Sequence, residues 1–162
     1  VKKYLEISKS LTEKDPGNIT WQRELAVSYN VLGSIEQSAG NTDRARDYFK
    51  KGLEISKRLS EKDPENTTWQ RDLSVSYNKL GSIEQSAGNT DRARDYFKKP
   101  FQILERLVEK DPQNMQWQED LYNACDWLSY LYKQSNDQAQ AKVYADRAAK
   151  IREQIEARKT TP

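Results

Sequence analysis

The chain has 162 residues, 32% of them charged and 35% hydrophobic, and its formal net charge is only +2. Acidic and basic residues are interleaved without a basic block, which argues against a nucleic-acid partner, and no run of about 18 apolar residues is available to span a membrane. The single Cys125 excludes an internal disulfide framework and favours a cytoplasmic location.

Helical periodicity predicts an all-α chain of about seven helices, because no segment alternates apolar and polar residues as a strand would. The first segment starts at Val1 without Met or a signal peptide and looks like the second half of a repeat, so we expect a module excised from a longer protein. The expected helices cover residues 1–14, 19–39, 42–62, 67–87, 90–110, 115–135 and 138–158.

The first complete unit shows why these boundaries are expected. Trp21, Leu25 and Tyr29 are spaced by four residues and share one helical face. Gly40 can adopt the left-handed conformation that ends a helix, and Thr42 is predicted to cap the following one.

A long internal repeat organises the chain. Residues 5–52 align with residues 53–100 at a shift of 48, and only eight pairs differ. These pairs are Ser10/Arg58, Thr12/Ser60, Gly17/Glu65, Ile19/Thr67, Glu24/Asp72, Ala26/Ser74, Val31/Lys79 and Gly52/Pro100. A diverged third copy begins at Phe101. We predict one domain, 1–162, made of a half repeat 1–18, repeats 19–66 and 67–114, and a diverged repeat 115–162 that ends in a capping helix.

The repeated residues resemble the tetratricopeptide motif. The first copy has Tyr29, Leu32-Gly33, Gly40, Ala45 and Phe49 in the order and spacing of that motif, and the second has Tyr77, Leu80-Gly81, Gly88, Ala93 and Phe97. The third copy keeps a weaker form, with Cys125, Leu128, Ser129, Asn136, Ala141 and Ala145. The resemblance implies an α-solenoid of antiparallel helix pairs, about three and a half repeats, wound into a right-handed superhelix.

Two features depart from the family pattern. Glu36 and Glu84 stand three residues after the motif glycine, where the family usually has an aromatic residue. The period is also 48 residues instead of 34, which adds about seven residues to each helix. Seven residues are close to two turns, so the buried stripe continues along the longer helix.

Nothing in the sequence supports catalysis, a metal or a cofactor. The chain has no His, the commonest general base and zinc ligand, and its glycines do not form a phosphate-binding loop. Cys125 takes the core-facing position of Tyr29 and Tyr77, so we interpret it as a small buried hydrophobe. The repeated Trp21, Trp69 and Trp117 are interpreted as core residues.

The resemblance implies that the first helix of each pair lines a concave groove that receives a peptide or another protein's helix. Carried over by position, the groove residues are Asn30, Val31, Ser34 and Gln37; Asn78, Lys79, Ser82 and Gln85; Asp126, Trp127, Tyr130 and Lys133; and, at its edge, Arg23 and Arg71. The amides of Asn30 and Asn78 can bond an extended backbone. Trp127 and Tyr130 are either a binding hot spot or residues of a degenerate terminal unit that pack on the last helix.

Pro100 lies in the middle of the fifth predicted helix, where Gly52 stands in the first copy. An interior proline removes a backbone hydrogen bond and usually kinks the helix, so we predict a bend there. The proline also lies at the point where the copies begin to diverge.

The leading hypothesis is a non-catalytic scaffold that binds a protein or peptide, a module of a bacterial-type regulatory or signalling protein. The alternative is self-association through the repeat ends, since near-identical repeats can stack between chains. RNA binding would need a basic groove, and the predicted one has only Lys79, Lys133, Arg23 and Arg71.

Overall fold

A computed structural model describes residues 2–159, and every element within that range is an α-helix. The helices are α1 Lys2–Lys14, α2 Ile19–Ser38, α3 Thr42–Lys62, α4 Thr67–Ser86, α5 Thr90–Lys110, α6 Met115–Gln134 and α7 Gln138–Lys159. The predicted start at residue 1 and the tail 160–162 lie outside the described residues. Elsewhere the predicted helices are found, with boundaries within one residue of those expected.

Short connections force consecutive helices to pack side by side. Each helix from α1 to α6 contacts the next one, and α2 also contacts α4. The chain is therefore an α-solenoid of helix pairs, in which α2, α4 and α6 are the first helices of the pairs (A helices) and α3, α5 and α7 the second (B helices). The right-handed winding and the division into repeats stay predictions.

The turns between helices use the same chemistry in each repeat. The side chains of Asn18, Asn66 and Asn114 accept hydrogen bonds from the backbone three residues later, which caps the three A helices. Between the helices of a pair, Gly40 and Gly88 have φ of 78° and 77°, the left-handed conformation that ends a helix. In the third copy Asn136 replaces the glycine with φ 59°.

The prediction that Thr42 caps α3 is wrong. Thr42 is the first residue of α3, and the cap position is occupied by Asn41, whose side chain makes no capping hydrogen bond. Instead, the Asn41 amide donates to the Glu36 carboxylate at 2.7 Å. The side chain that was available for capping is thus used to tie the turn to the preceding helix.

A close contact between glycine and phenylalanine joins the two helices of each of the first two pairs. A Cβ added to Gly33 would lie 2.5 Å from two ring atoms of Phe49, so the glycine is required for the helices to approach this closely. In the third copy both residues change together, to Ser129 and Ala145. The Ser129 hydroxyl donates to the backbone oxygen of Ala141 at 2.9 Å, so a hydrogen bond replaces the ring contact.

Phe49 also packs forward, onto the next repeat. It forms a buried cluster with Ala45 of the same helix and with Leu80 and Ile83 of α4. The B helix of one pair therefore supplies the apolar contact on which the A helix of the next pair rests.

A buried ion pair lies beside this cluster. The Arg46 guanidinium on α3 donates to the Glu84 carboxylate on α4 at 2.7 Å, and the Glu84 side chain is only 3% exposed. Burial would raise the pKa of Glu84, but the hydrogen bonds from Arg46 and Asn89 outweigh burial and lower it. The glutamate that departs from the family pattern is thus a contact between repeats.

The same position is aromatic in the third copy. Tyr132 aligns with Glu84, and the Arg94 guanidinium, which aligns with Arg46, lies 5.3 Å from the centroid of the Tyr132 ring. A cation–π contact therefore replaces the ion pair. This substitution shows that the divergence of the third copy preserves the packing between repeats.

Pro100 is fully buried, and α5 continues as one helix from Thr90 to Lys110 across it. At the aligned position in the first copy, a Cβ on Gly52 would lie 2.7 Å from the Asn30 side-chain oxygen. The bend at Pro100 stays a prediction.

Across residues 2–159, none of the helices combines the length and the apolar character that crossing a bilayer requires.

Candidate protein-binding groove

A cavity of about 510 Å³ lies between α2 and α4 and is open to the surface. We call it the α2–α4 cavity. Its floor comes from Ser56 and Leu59 of α3. The rest of its lining is Arg23, Ala26, Val27, Asn30, Val31, Ser34, Ile35 and Ser38 of α2, with Trp69, Asp72, Val75 and Lys79 of α4. Five of the predicted groove residues are thus brought to one place: Arg23, Asn30, Val31, Ser34 and Lys79.

The α2–α4 cavity is mainly apolar because of a stripe along α2. Val27, Val31 and Ile35 follow one another at intervals of four residues, and their exposed fractions are 39%, 44% and 45%. Val75 faces them from α4. Val27, Ile35 and Val75 were not predicted as site residues. The spacing of Val27, Val31 and Ile35, three β-branched residues four apart on an otherwise polar helical face, was a signal in the sequence that could have indicated the stripe.

Ion pairs between neighbouring A helices lie at the edge of the face that carries the α2–α4 cavity. The Arg23 guanidinium contacts the Asp72 carboxylate at 2.5 Å, and Arg71 repeats the contact with Asp120 at 2.9 Å. The hydrogen bond to Asp72 raises the pKa of Arg23. Both predicted edge arginines therefore hold adjacent repeats together, and Arg71 lines neither of the cavities described here.

The predicted amide clamps are partly used within the protein. The Asn30 amide nitrogen donates to the Ser76 hydroxyl at 3.2 Å, and the Gln37 amide nitrogen lies 3.5 Å from the Ser82 hydroxyl. The side-chain oxygens of Asn30 and Asn78 are buried without a hydrogen-bond donor within residues 2–159. The Asn30 oxygen faces Gly52 of α3, inside the helix pair, so it does not point into the α2–α4 cavity.

A smaller cavity of about 250 Å³ lies further along the same face. It is lined by Gln37 of α2; by Val75, Asn78, Lys79 and Ser82 of α4; by Phe97 of α5; and by Asn123, Ala124 and Trp127 of α6. Val75 and Lys79 line both cavities, so the two are neighbours on one surface. Five of the predicted groove residues line the second cavity: Gln37, Asn78, Lys79, Ser82 and Trp127. Of these five, only Lys79 also lines the first cavity.

Trp127 and Tyr130 both remain partly exposed, by 39% and 43%. The Trp127 indole stacks on the Phe97 ring with centroids 5.3 Å apart, and the Tyr130 ring meets the indole edge-on at 6.0 Å. These ring contacts involve α5 and α6 rather than the last helix. Trp127 lines the second cavity, whereas Tyr130, Gln85, Asp126 and Lys133 line neither.

The repeated tryptophans are half-buried. Trp69 packs against the core cluster of the first repeat, and Trp117 packs against that of the third. Trp69 also lines the α2–α4 cavity, so it contributes to both the core and the candidate site.

Cys125 is fully buried on α6, as its alignment with Tyr29 and Tyr77 predicted. Burial raises the pKa of its thiol to about 12, so the reactive thiolate is scarce at neutral pH. We expect the native protein to resist alkylation by iodoacetamide at pH 8 for hours and to react within minutes once unfolded in urea. Mass spectrometry measures both rates, and rapid native alkylation would contradict this assignment.

The described residues contain no group of three or more His, Cys, Asp or Glu side chains placed to hold a metal ion.

Comparison with known structures shows which proteins share this architecture. BtubC (BKLC) from P. vanneervenii superposes with a TM-score of 0.72 at 21% identity, over 95% of this chain and 56% of the other. A mutant of MamA superposes with a TM-score of 0.51 at 15% identity, over 94% of this chain and 65% of the other. The chain thus spans less than two thirds of either structure, and likenesses at this identity establish the fold alone. No curated protein matches the sequence.

Family models agree with the structural repeat. One model described as tetratricopeptide repeat matches residues 23–106, more than half of the chain, and a second with the same description matches residues 122–155. The first match covers the α2–α4 cavity, and the second covers most of α6 and α7. The chain belongs to the tetratricopeptide repeat family.

Proposed function

We propose that this protein is a non-catalytic scaffold that binds a segment of another protein in the groove formed by the two cavities along α2, α4 and α6. The α2–α4 cavity carries the proposal, because it combines an exposed aliphatic stripe with a fixed polar rim. Pockets of this kind, mainly apolar with a few oriented polar groups, are where ligands bind. Membership of the tetratricopeptide repeat family supports an interaction scaffold as the general role.

The lining residues define what kind of segment fits. Val27, Val31 and Val75 offer an apolar surface for one or two aliphatic or aromatic side chains. The Lys79 ammonium at the junction of the cavities favours an acidic residue beside them. The proposed ligand is therefore a mildly acidic peptide with an apolar anchor.

The experiment is a selection of displayed peptides of about ten residues against the full chain, followed by affinity measurements with substituted chains. We expect the selected peptides to lose at least about tenfold in affinity for Val31→Asp, because a charge in the cavity must be desolvated when the apolar anchor enters.

The matched control is Val143→Asp on α7, where the side chain is 56% exposed and lies outside both cavities. Binding to this variant should equal binding to the unsubstituted chain. Equal loss of affinity for Val31→Asp and Val143→Asp, or no loss for either, would refute the proposed site.

Self-association through the repeat ends is the second candidate, and one observation favours an interaction there. Tyr4 and Ile7, three residues apart on α1, are 48% and 49% exposed, and apolar side chains exposed together are typical of an interaction surface. The cytoplasmic location and the role as part of a larger regulatory protein of bacterial type also stay proposals.

A further inference from the structure

A third cavity, of about 490 Å³, is lined by α3, α4 and α5. We call it the α3–α5 cavity. It shares no lining residue with the two cavities of the groove, and its volume is in the range of small-molecule sites. Its lining consists of four cationic side chains, two carboxylates and two tyrosines: Arg46, Lys50, Arg92 and Lys99; Glu84 and Asp95; and Tyr77 and Tyr96.

Three of the four cations have no carboxylate partner. Arg46 bonds Glu84 at 2.7 Å. The side chains of Lys50, Arg92 and Lys99 form no ion pair or hydrogen bond with any residue from 2 to 159. Like charges that share one cavity repel one another, and a bound anion relieves the repulsion. The charge of the α3–α5 cavity therefore favours an anionic ligand.

The remaining lining groups are a carboxylate and two hydroxyl groups. Asp95 is exposed and likewise unpaired within residues 2–159, so it offsets one of the three free cations. Tyr77 and Tyr96 are half-buried, with ring centroids 6.5 Å apart. Their hydroxyls have no hydrogen-bond partner in the part of the chain that the structure describes. Burial raises the pKa of Tyr77, so its hydroxyl keeps the proton at neutral pH and can donate it in a hydrogen bond.

The third copy gives the corresponding cations partners inside the protein. Arg94 and Lys98, 48 residues after Arg46 and Lys50, lie 5.3 Å and 5.7 Å from the centroid of the Tyr132 ring. These are cation–π contacts. The cation 48 residues after Lys99 is a guanidinium that is paired with a carboxylate of α5.

The first copy also gives the corresponding lysine a partner. Lys51, 48 residues before Lys99, lies 5.9 Å from the ring centroids of both Tyr29 and Tyr48. Lys99 makes no such ring contact within residues 2–159. The same lysine position is therefore satisfied by the protein in the first copy and left free at a cavity in the second.

The positions of the free cations indicate a ligand with more than one anionic group. Arg92 and Lys99 are seven residues apart on α5, which is about 10 Å along the helix, and Lys50 lies across the cavity on α3. A carboxylate offers two acceptor oxygens, whereas a terminal phosphate offers three. Phosphate groups therefore suit a lining in which ammonium, guanidinium and hydroxyl donors outnumber the free carboxylates.

We propose that the α3–α5 cavity binds a small molecule with two linked phosphate groups, of the class of pyrophosphate or a nucleoside diphosphate. Arg92 and Lys99 contact different phosphate groups because of their separation along α5, and Lys50 contacts the ligand from α3. The hydroxyls of Tyr77 and Tyr96 supply the neutral donors. This site goes beyond the peptide-binding role of the groove and does not depend on it.

The experiment is an NMR titration of the isotopically labelled chain with pyrophosphate. It is done at a fixed ionic strength of about 0.15 M, where exposed charges are screened beyond about 8 Å. We expect saturable shift changes of the backbone amides around Tyr77, Tyr96 and Lys99. Replacing Lys50 and Lys99 together with Gln should raise the Kd by at least about tenfold.

The matched control replaces Lys51 and Lys98 with Gln. These lysines are the sequence neighbours of Lys50 and Lys99 on the same two helices, and they do not line the α3–α5 cavity. The two double variants have the same net charge, so the control removes the long-range attraction equally. We expect its Kd to stay within about threefold of that of the unsubstituted chain. Circular dichroism checks that both variants remain helical.

Three results would overturn the proposal. Pyrophosphate could cause no saturable shift changes around Tyr77, Tyr96 and Lys99, or the two double variants could lose affinity equally, which would mean unspecific attraction to surface charge. Glutarate, a dicarboxylate, could bind as tightly as pyrophosphate, which would exclude recognition of phosphate groups. None of these results bears on the Val31→Asp test of the groove, so the two proposals fail separately.

Discussion

Replacing Gly33 with Ser is expected to lower the free energy of unfolding by about 1–3 kcal/mol, the usual cost of forcing extra atoms into a packed contact. A Cβ at this position lies 2.5 Å from two atoms of the Phe49 ring. The greater helix propensity of Ser recovers only about 0.5 kcal/mol. Urea unfolding followed by circular dichroism measures the difference.

The control for this prediction is the same substitution in a Phe49→Ala background. Truncating the buried Phe49 costs about 3–5 kcal/mol by itself, but it removes the ring that the added serine side chain would strike. In that background Gly33→Ser should be close to neutral, because the pair then resembles Ser129 and Ala145 of the third copy. An equal cost in both backgrounds would show that the glycine is required for some other reason.

Arg46→Met is expected to destabilise the protein by about 3 kcal/mol at pH 7, since removing one partner leaves a buried charge whose remaining hydrogen bond comes from Asn89. The charge is that of Glu84, which is 3% exposed. The matched control is Arg94→Met, 48 residues later, where the guanidinium faces the neutral Tyr132 ring and a loss of about 1 kcal/mol is expected.

The effect of Arg46→Met should depend on pH. In the unsubstituted protein the pKa of Glu84 is lowered, so the pair stabilises the fold fully above the unfolded pKa of about 4.3. That contribution is lost as the pH falls through the lower pKa that Glu84 has in the folded protein. Without Arg46, burial raises the pKa of Glu84, so the carboxylate of the variant is protonated as the pH falls. Protonation removes the buried charge that destabilises the variant. The difference in unfolding free energy should therefore shrink from pH 7 to pH 4, and a constant difference would contradict the buried-pair explanation.

The helical repeat was predictable from the sequence because each helix carries its own signals. Apolar residues four apart, Asn before each A helix, and Gly40 and Gly88 at the turns all act locally. The prediction that Thr42 caps α3 failed because Thr42 is the first residue of that helix and Asn41 stands at the cap position. Asn41 in turn bonds Glu36, a partner that sequence spacing does not reveal. Local patterns fix helices and turns but not the partners of side chains.

The candidate site was less predictable for the same reason. Alignment to the family pattern selected Arg23 and Asn30, which line the α2–α4 cavity, but both bond the neighbouring repeat. The apolar character of the α2–α4 cavity depends on Val27 and Val75, which come together only when α2 and α4 pack. Arg46 and Glu84 are 38 residues apart, and the ion pair they form was hidden among ordinary surface charges.

The most direct test of the binding function is an NMR titration of the isotopically labelled chain with the tightest peptide from the selection. We expect the largest amide shift changes on α2 and α4, around Val27, Val31, Val75 and Lys79, with little change on α7. Shift changes confined to the outer surfaces of α3, α5 and α7 would contradict the groove and place the interaction on the opposite side of the stack.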